Sequence, residues 1–112
     1  MNLQGLRMFC LSLPGATEDV KWGDDLCFSV GGKMFCVTGF EPGSSVSLKV
    51  RDEEFGELCE TENIEPAAYV GRYKWISVGN FERFSNDEWH HYVRQSYDLI
   101  ASKLPAKLRP LN

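Results

Sequence analysis

Apolar residues recur every three or four positions at both ends of this chain and every second position in between. Near the start, Leu3, Leu6, Cys10 and Leu13 share one stripe, which predicts an amphipathic helix from about Asn2 to Leu13. Asn2 suits its N-cap, because an asparagine side chain accepts from a free N–H of the first turn. Pro14-Gly15 ends it, since a proline disfavours helical geometry at the preceding residue. Toward the other end, Trp89, Tyr92, Val93, Tyr97, Ile100 and Leu104 mark the buried stripe of a longer helix. Ser85 and Glu88 form its capping box and Pro105 its stop.

Between the helices the period falls to two. Asp25 to Val30 and Lys33 to Gly39 flank Gly31-Gly32, two glycines that accept the positive φ angles of a type I′ hairpin turn. A two-residue turn sets Val30 opposite Lys33, Ser29 opposite Met34, Phe28 opposite Phe35, Cys27 opposite Cys36 and Leu26 opposite Val37. Leu26, Phe28, Phe35 and Val37 then share the core face, and Cys27, Ser29, Met34 and Cys36 the other. Ser45 to Arg51 alternates, with Val46, Leu48 and Val50 inward and Ser47, Lys49 and Arg51 outward. Lys74 to Gly79 reads as a further strand, with Ile76 and Val78 inward and Trp75 and Ser77 outward. Asp52 fits the N-cap of a short helix whose apolar face is Phe55, Leu58 and Cys59, and Glu53 and Glu54 suit its positive end. The expected architecture is a single α+β domain over residues 1–112. An antiparallel sheet carries the N-terminal and C-terminal helices on one face and leaves the other largely open.

Composition narrows the functional classes. A hydrophobic content of 43% in 112 residues is ordinary for one globular domain and too high for a disordered chain. No apolar run approaches the roughly 18 residues of a membrane span, and the first residues lack a signal-peptide layout, so a cytoplasmic protein without membrane attachment is expected. The four cysteines form no C-x-x-C pair and are expected to be reduced, with Cys10 and Cys59 acting as small buried hydrophobes. His90 and His91 are adjacent on a helix and point about 100° apart, unlike the i, i+4 pair of a metal helix, so neither metal nor cofactor is expected. No nucleophile stands beside a base in a known motif, and no phosphate-binding or dinucleotide loop is present, so the chain does not read as an enzyme. Trp22, beside Lys21, reads as packing on the core edge, with a shallow pocket as the alternative.

The net charge is −4, which weighs mildly against a dedicated nucleic-acid binder. Its distribution matters more. Residues 52–65 hold seven acids and no base, and the rest of the chain carries twelve bases against nine acids. The molecule is expected to be dipolar, with one acidic end.

Three collinear stretches carry a resemblance to the MmcQ/YjbR family: Phe9-Cys10-Leu11-Ser12-Leu13-Pro14-Gly15-Ala16-Thr17-Glu18, Lys74-Trp75-Ile76-Ser77-Val78, and Ser96-Tyr97-Asp98-Leu99-Ile100 followed by Ala101-Ser102-Lys103-Leu104-Pro105. The resemblance implies a CyaY-like (frataxin-like) fold and a DNA-binding role through a basic surface described as a double wing. On that reading Lys33, Lys49, Arg51, Arg72 and Lys74 are candidate phosphate contacts, and Trp75 stacks on a base. A frataxin-like iron site in the acids of 52–65 is not expected, because hard oxygen ligands alone are a poor signal and the first helix has no acidic ridge.

The alternative function is a protein- or small-ligand-binding module on the open sheet face, formed by Cys27, Ser29, Met34, Cys36, Ser47, Lys49, Trp75 and Ser77, unless a loop or a second copy covers that face. Within it, the expected register makes Cys27 and Cys36 a non-hydrogen-bonded pair with Cα atoms about 4.5 Å apart. They would either fill space or form a strained, reversible disulfide beside Trp75.

Overall fold

The computed structural model describes residues 1–110. Helix α1 spans Leu3–Ser12, and the Asn2 side chain accepts from the Gly5 N–H at 2.8 Å, as the sequence predicts. Strands β1 (Thr17–Lys21), β2 (Asp25–Val30), β3 (Lys33–Gly39) and β4 (Val46–Lys49) follow. Helix α2 (Asp52–Cys59), strands β5 (Ile64–Pro66) and β6 (Trp75–Val78), and helix α3 (Asn86–Ala101) complete the order. The six strands form one antiparallel sheet in the order β1-β2-β3-β4-β6-β5.

Both edge strands lie outside the sequence expectation. β1 (Thr-Glu-Asp-Val-Lys) has one strongly apolar residue and no clean alternation, and charged residues are what blunt a sheet edge. β5 is three residues long and ends on Pro66, which an edge position tolerates. Arg7 of α1 clips the helix to β1 through a bidentate contact with Glu18, at 2.6 and 3.1 Å. The pair is partly exposed, so its contribution to stability is small.

The central hairpin departs from the expected register. Val30 faces Lys33 and Ser29 faces Met34, as a two-residue Gly31-Gly32 turn requires. Beyond that the strands slip by one: Phe28 faces Cys36, Cys27 faces Val37 and Leu26 faces Thr38. Phe35 is the extra residue, a β-bulge that moves every later side chain of β3 to the opposite face. Cys36 therefore lies in the core and Val37 on the open face, the reverse of the sequence expectation. Cys27 and Cys36 are not opposite one another, and the proposed Cys27–Cys36 redox pair is ruled out by this register.

A hydroxyl from α3 completes the bulge. Ser96, fully buried, donates to the Phe35 C=O at 2.6 Å and accepts from the Lys49 N–H at 2.9 Å. It bridges β3 and β4 where the bulge interrupts the ladder, so neither backbone group is left unpaired. The Phe35 ring meets Tyr97 edge-on, with centroids 5.4 Å apart.

All three helices contribute to the core on the same side of the sheet, over Leu26, Phe28 and Val30, Val46 and Leu48, Ile64, and Ile76 and Val78. α3 carries the predicted capping box, with Ser85 Oγ accepting from the Glu88 N–H at 3.1 Å and Glu88 Oε1 accepting from the Ser85 N–H at 2.9 Å. Its Trp89 is fully buried and donates Nε1–H to the Phe81 C=O at 2.8 Å. Tyr97 donates its hydroxyl proton to the Pro14 C=O, which ties α3 to the end of α1. α2 starts one residue earlier than expected. Arg51 is its cap, Asp52 its first helical residue, and the Glu54 carboxylate accepts from the Arg51 N–H at 3.0 Å. Asp52, Glu53 and Glu54 all lie in the positive first turn. No helix among the described residues is long and apolar enough to cross a membrane.

The two turn glycines make unequal demands. Both have positive φ, +57° at Gly31 and +82° at Gly32. A Cβ on Gly31 would lie 2.5 Å from Leu104 Cδ1 and 3.2 Å from the Leu108 C=O, whereas one on Gly32 would meet nothing. Gly32→Ala is expected to lose only the left-handed backbone cost of about 1–2 kcal/mol. Gly31→Ala adds a displaced Leu104 and should lose about 1–3 kcal/mol more. Urea unfolding of the two variants measures the difference. Equal losses would show that the turn does not bear on the Leu104–Leu108 segment.

Candidate functional site

One end of the sheet gathers the Gly31-Gly32 turn, the C-terminal end of β4, the start of β6 and the chain that follows α3. Lys33 stands exposed on the turn. Lys49, the last residue of β4, pairs with Trp75 across the ladder. Lys74 precedes β6, its C=O accepting from the Val50 N–H at 2.9 Å. Lys103 follows α3. Lys103 and Lys74 both act electrostatically on Lys49, and the Lys74 ammonium lies 5.1 Å over the Phe55 ring of α2. Burial first, then Lys103, hold the Lys49 ammonium below its ordinary pKa; Asp52 pulls the other way, and Lys74 has the smallest influence, in the lowering direction. Three lysines thus share one corner, two of them on segments far apart in sequence.

The segment between β5 and β6 is fixed against this corner. The Ala67 N–H donates to the Trp75 C=O at 3.0 Å, and Lys49 Nζ donates to the Tyr73 C=O. Residues Gly71–Tyr73 form a single helical turn, closed by the Lys74 N–H on the Gly71 C=O at 2.9 Å. A Cβ on Gly71 would lie 3.0 Å from Pro66 Cβ, so the loop lies close against β5. Two non-glycine residues in the segment take left-handed backbone, Tyr69 at φ +66° and Lys74 at φ +67°. Tyr69 is 98% exposed and Tyr73 54% exposed, with the Arg72 guanidinium 4.8 Å over the Tyr73 ring.

Of the residues singled out from the sequence, Lys49, Arg72 and Lys74 come together here, and Lys33 lies at the same end of the sheet. Arg51 does not join them. The strand ends at Lys49, and Arg51 instead caps α2 and lines a shallow groove with His91, Arg94, Gln95 and Asp98 of α3. Trp75 keeps the predicted face but is only 7% exposed. It and Ala67 are buried outside the main core cluster, and the Ala67 N–H on the Trp75 C=O joins the chain leaving β5 to the start of β6. Trp75 is therefore not free to stack on a base, and the open-face module that depended on it loses its aromatic anchor. Lys103, Tyr69 and Tyr73 were not singled out. The run Tyr69-Val70-Gly71-Arg72-Tyr73-Lys74 interleaves aromatic and basic residues and was the available signal.

The remaining candidates lie elsewhere. Cys27 is covered on the open face, where burial pushes its thiol pKa up. Cys36 contacts Cys10 of α1 in the core, and that contact together with burial holds the Cys10 thiol far above its ordinary range. Trp22 has φ +52° and is 70% exposed, so it does not pack on the core edge. The β1–β2 loop carries it past the end of the sheet. His90 stacks on Phe9 at 4.3 Å. Among the described residues no three His, Cys, Asp or Glu side chains gather as a metal site.

No curated protein matches this chain. Among solved structures, a crystal structure of a protein from Pseudomonas syringae, determined as a structural-genomics target, matches with a TM-score of 0.73. It is 22% identical, and the match covers 88% of this chain and 98% of that one, a likeness of fold. The family model described as YjbR matches residues 11–99, from the last turn of α1 to the last turns of α3. That span holds the whole sheet, the bulge with its Ser96 bridge, and the 67–74 segment, and the chain belongs to the YjbR family.

Proposed function

We propose that this protein is a nucleic-acid-binding domain of CyaY-like architecture, which holds the phosphate backbone at the corner formed by Lys49, Lys74 and Lys103. The observation that carries this reading is the placement of Lys49, Lys74 and Lys103 at one end of the sheet, with Lys49 at the end of β4, Lys74 just before its partner strand β6, and Lys103 just after α3 and close enough to act on the Lys49 charge. Like charges repel, so a fold gains nothing by gathering them, whereas a polyanion is attracted by all three at once. The net charge of −4 weighs mildly against it, and seven of the sixteen acids lie within residues 52–65. The acids of 52–65 run through α2 and β5, and Asp52 is the acid acting on Lys49. Arg72 and Lys33 extend the positive surface, and no catalytic group is required.

Fluorescence anisotropy of a labelled oligonucleotide, measured across a salt series, tests the reading. Each neutralised phosphate steepens the fall of log K with log salt by about 0.7–0.9. Three lysines predict a slope of about −2 or steeper. Absence of binding in low salt at tens of micromolar protein, or binding indifferent to salt, would overturn it.

A further inference from the structure

We propose that the nucleic acid taken at this corner is single-stranded, with Tyr69 and Tyr73 stacking on unpaired bases while Lys49, Lys74 and Lys103 hold the phosphates. This rests on the nucleic-acid reading above and adds the form of the ligand.

Tyr69 has no structural task that accounts for its position. It is 98% exposed. Its backbone is nevertheless costly. Tyr69 is the centre of a three-residue turn closed by the Val70 N–H on the Ala68 C=O at 2.8 Å, with φ at +66°. Such turns are rare and strained, and a bulky residue in left-handed backbone is an outlier. Strain of this kind persists only where the surrounding structure enforces it. Here Ala67, Tyr73 and Lys74 are each tied by hydrogen bonds, and Gly71 lies against Pro66. The result is a braced loop that presents an aromatic ring to solvent.

Tyr73 adds a second exposed ring to the same loop, and its backbone is tied to the lysines: its C=O accepts from Lys49 Nζ and its chain continues into Lys74. Arg72 over the Tyr73 ring adds a planar cation that can itself stack. Exposed aromatics beside a cationic groove are the arrangement that binds unpaired strands, since every base offers a π face. In a duplex those faces are occupied by neighbouring pairs, so the rings would have nothing to stack on. Lysines alone would have served a duplex equally well, and the strained tyrosine would then be unexplained.

The test compares a short labelled oligothymidylate, an oligouridylate of equal length and a hairpin duplex, against the full chain and four variants. Tyr69→Ala and Tyr73→Ala are each expected to weaken single-strand binding about tenfold or more, the usual loss on removing one stacking aromatic. Tyr69→Phe and Tyr73→Phe should bind as the parent does, and duplex affinity should not change. Thermal unfolding of the exposed Tyr69 variants shows whether the fold is intact. Preference for either single strand over the duplex, with this Ala–Phe contrast, supports the inference and separates DNA from RNA. Duplex bound as tightly as single strands, or alanine variants matching the parent, would overturn it while leaving the lysine corner standing. Failure of all three probes to bind would overturn both.

Discussion

Ser96→Ala is expected to destabilise the domain by about 2–5 kcal/mol, a large share of the roughly 5–15 kcal/mol that holds a small domain together. The side chain loses only one oxygen, so little of the effect comes from lost apolar contact. It comes from what the oxygen leaves behind. The Phe35 C=O and the Lys49 N–H both depend on Ser96, at 2.6 and 2.9 Å, in a site closed to solvent. A buried donor or acceptor stripped of its partner costs about 1–3 kcal/mol, and here one deletion strips two. Ser102→Ala is the matched control. That hydroxyl is exposed and bonds only the Leu99 C=O within its own helix, so its loss should cost under about 0.5 kcal/mol. Urea midpoints at unchanged slope would report both. A Ser96→Ala loss below about 1 kcal/mol would mean that β3 and β4 close the gap without the bridge. Because the bridge also fixes the backbone of Lys49, the variant should weaken nucleic-acid binding even where it remains folded.

The combined variant Lys49→Ala, Lys74→Ala, Lys103→Ala is expected to separate binding from stability. At roughly 1 kcal/mol per phosphate contact, affinity at low salt should fall by about two orders of magnitude. The salt slope should become shallower by about two to three, one step for each contact removed. Stability should not fall with it. Lys49 is held below its ordinary pKa by burial and by its two lysine neighbours, so at neutral pH its charge disfavours the folded state. Removing the cluster relieves that repulsion but also deletes the Lys49 Nζ bond to the Tyr73 C=O and the Lys74 contact over Phe55, so the unfolding midpoint should change little. A variant that binds as the parent does, with an unchanged slope, would place the phosphate contacts elsewhere. A variant that loses stability would show that the lysine stems pack the corner more than their charges strain it.

The amino-acid pattern alone determines the helical ends of this protein and most of its sheet. The stripes of α1 and α3, the Ser85–Glu88 box, the Asn2 cap and the Gly31-Gly32 turn are decided by contacts within a few residues, so sequence spacing reveals them. The faces of β4 and β6 are equally legible, because strict alternation meets one buried side. Lys49, Arg72 and Lys74 were visible as bases flanking strands.

Tertiary structure decided the rest. β1 and β5 are held by their neighbours in the sheet rather than by their own composition, and one is charged while the other is three residues long. The bulge at Phe35 is bridged by a serine sixty-one residues away, a distance no local pattern spans, and it exchanges the faces of Cys36 and Val37. Alternation assigned Trp75 its face but could not give its exposure, which depends on where the 67–74 segment returns. Lys103 comes within electrostatic reach of Lys49 because α3 packs across β3 and β4 before the chain reaches it. Spacing fixes which way a side chain points from its own strand or helix. Which side chains meet is set by chain segments distant in sequence, and the proposed site is built from such meetings.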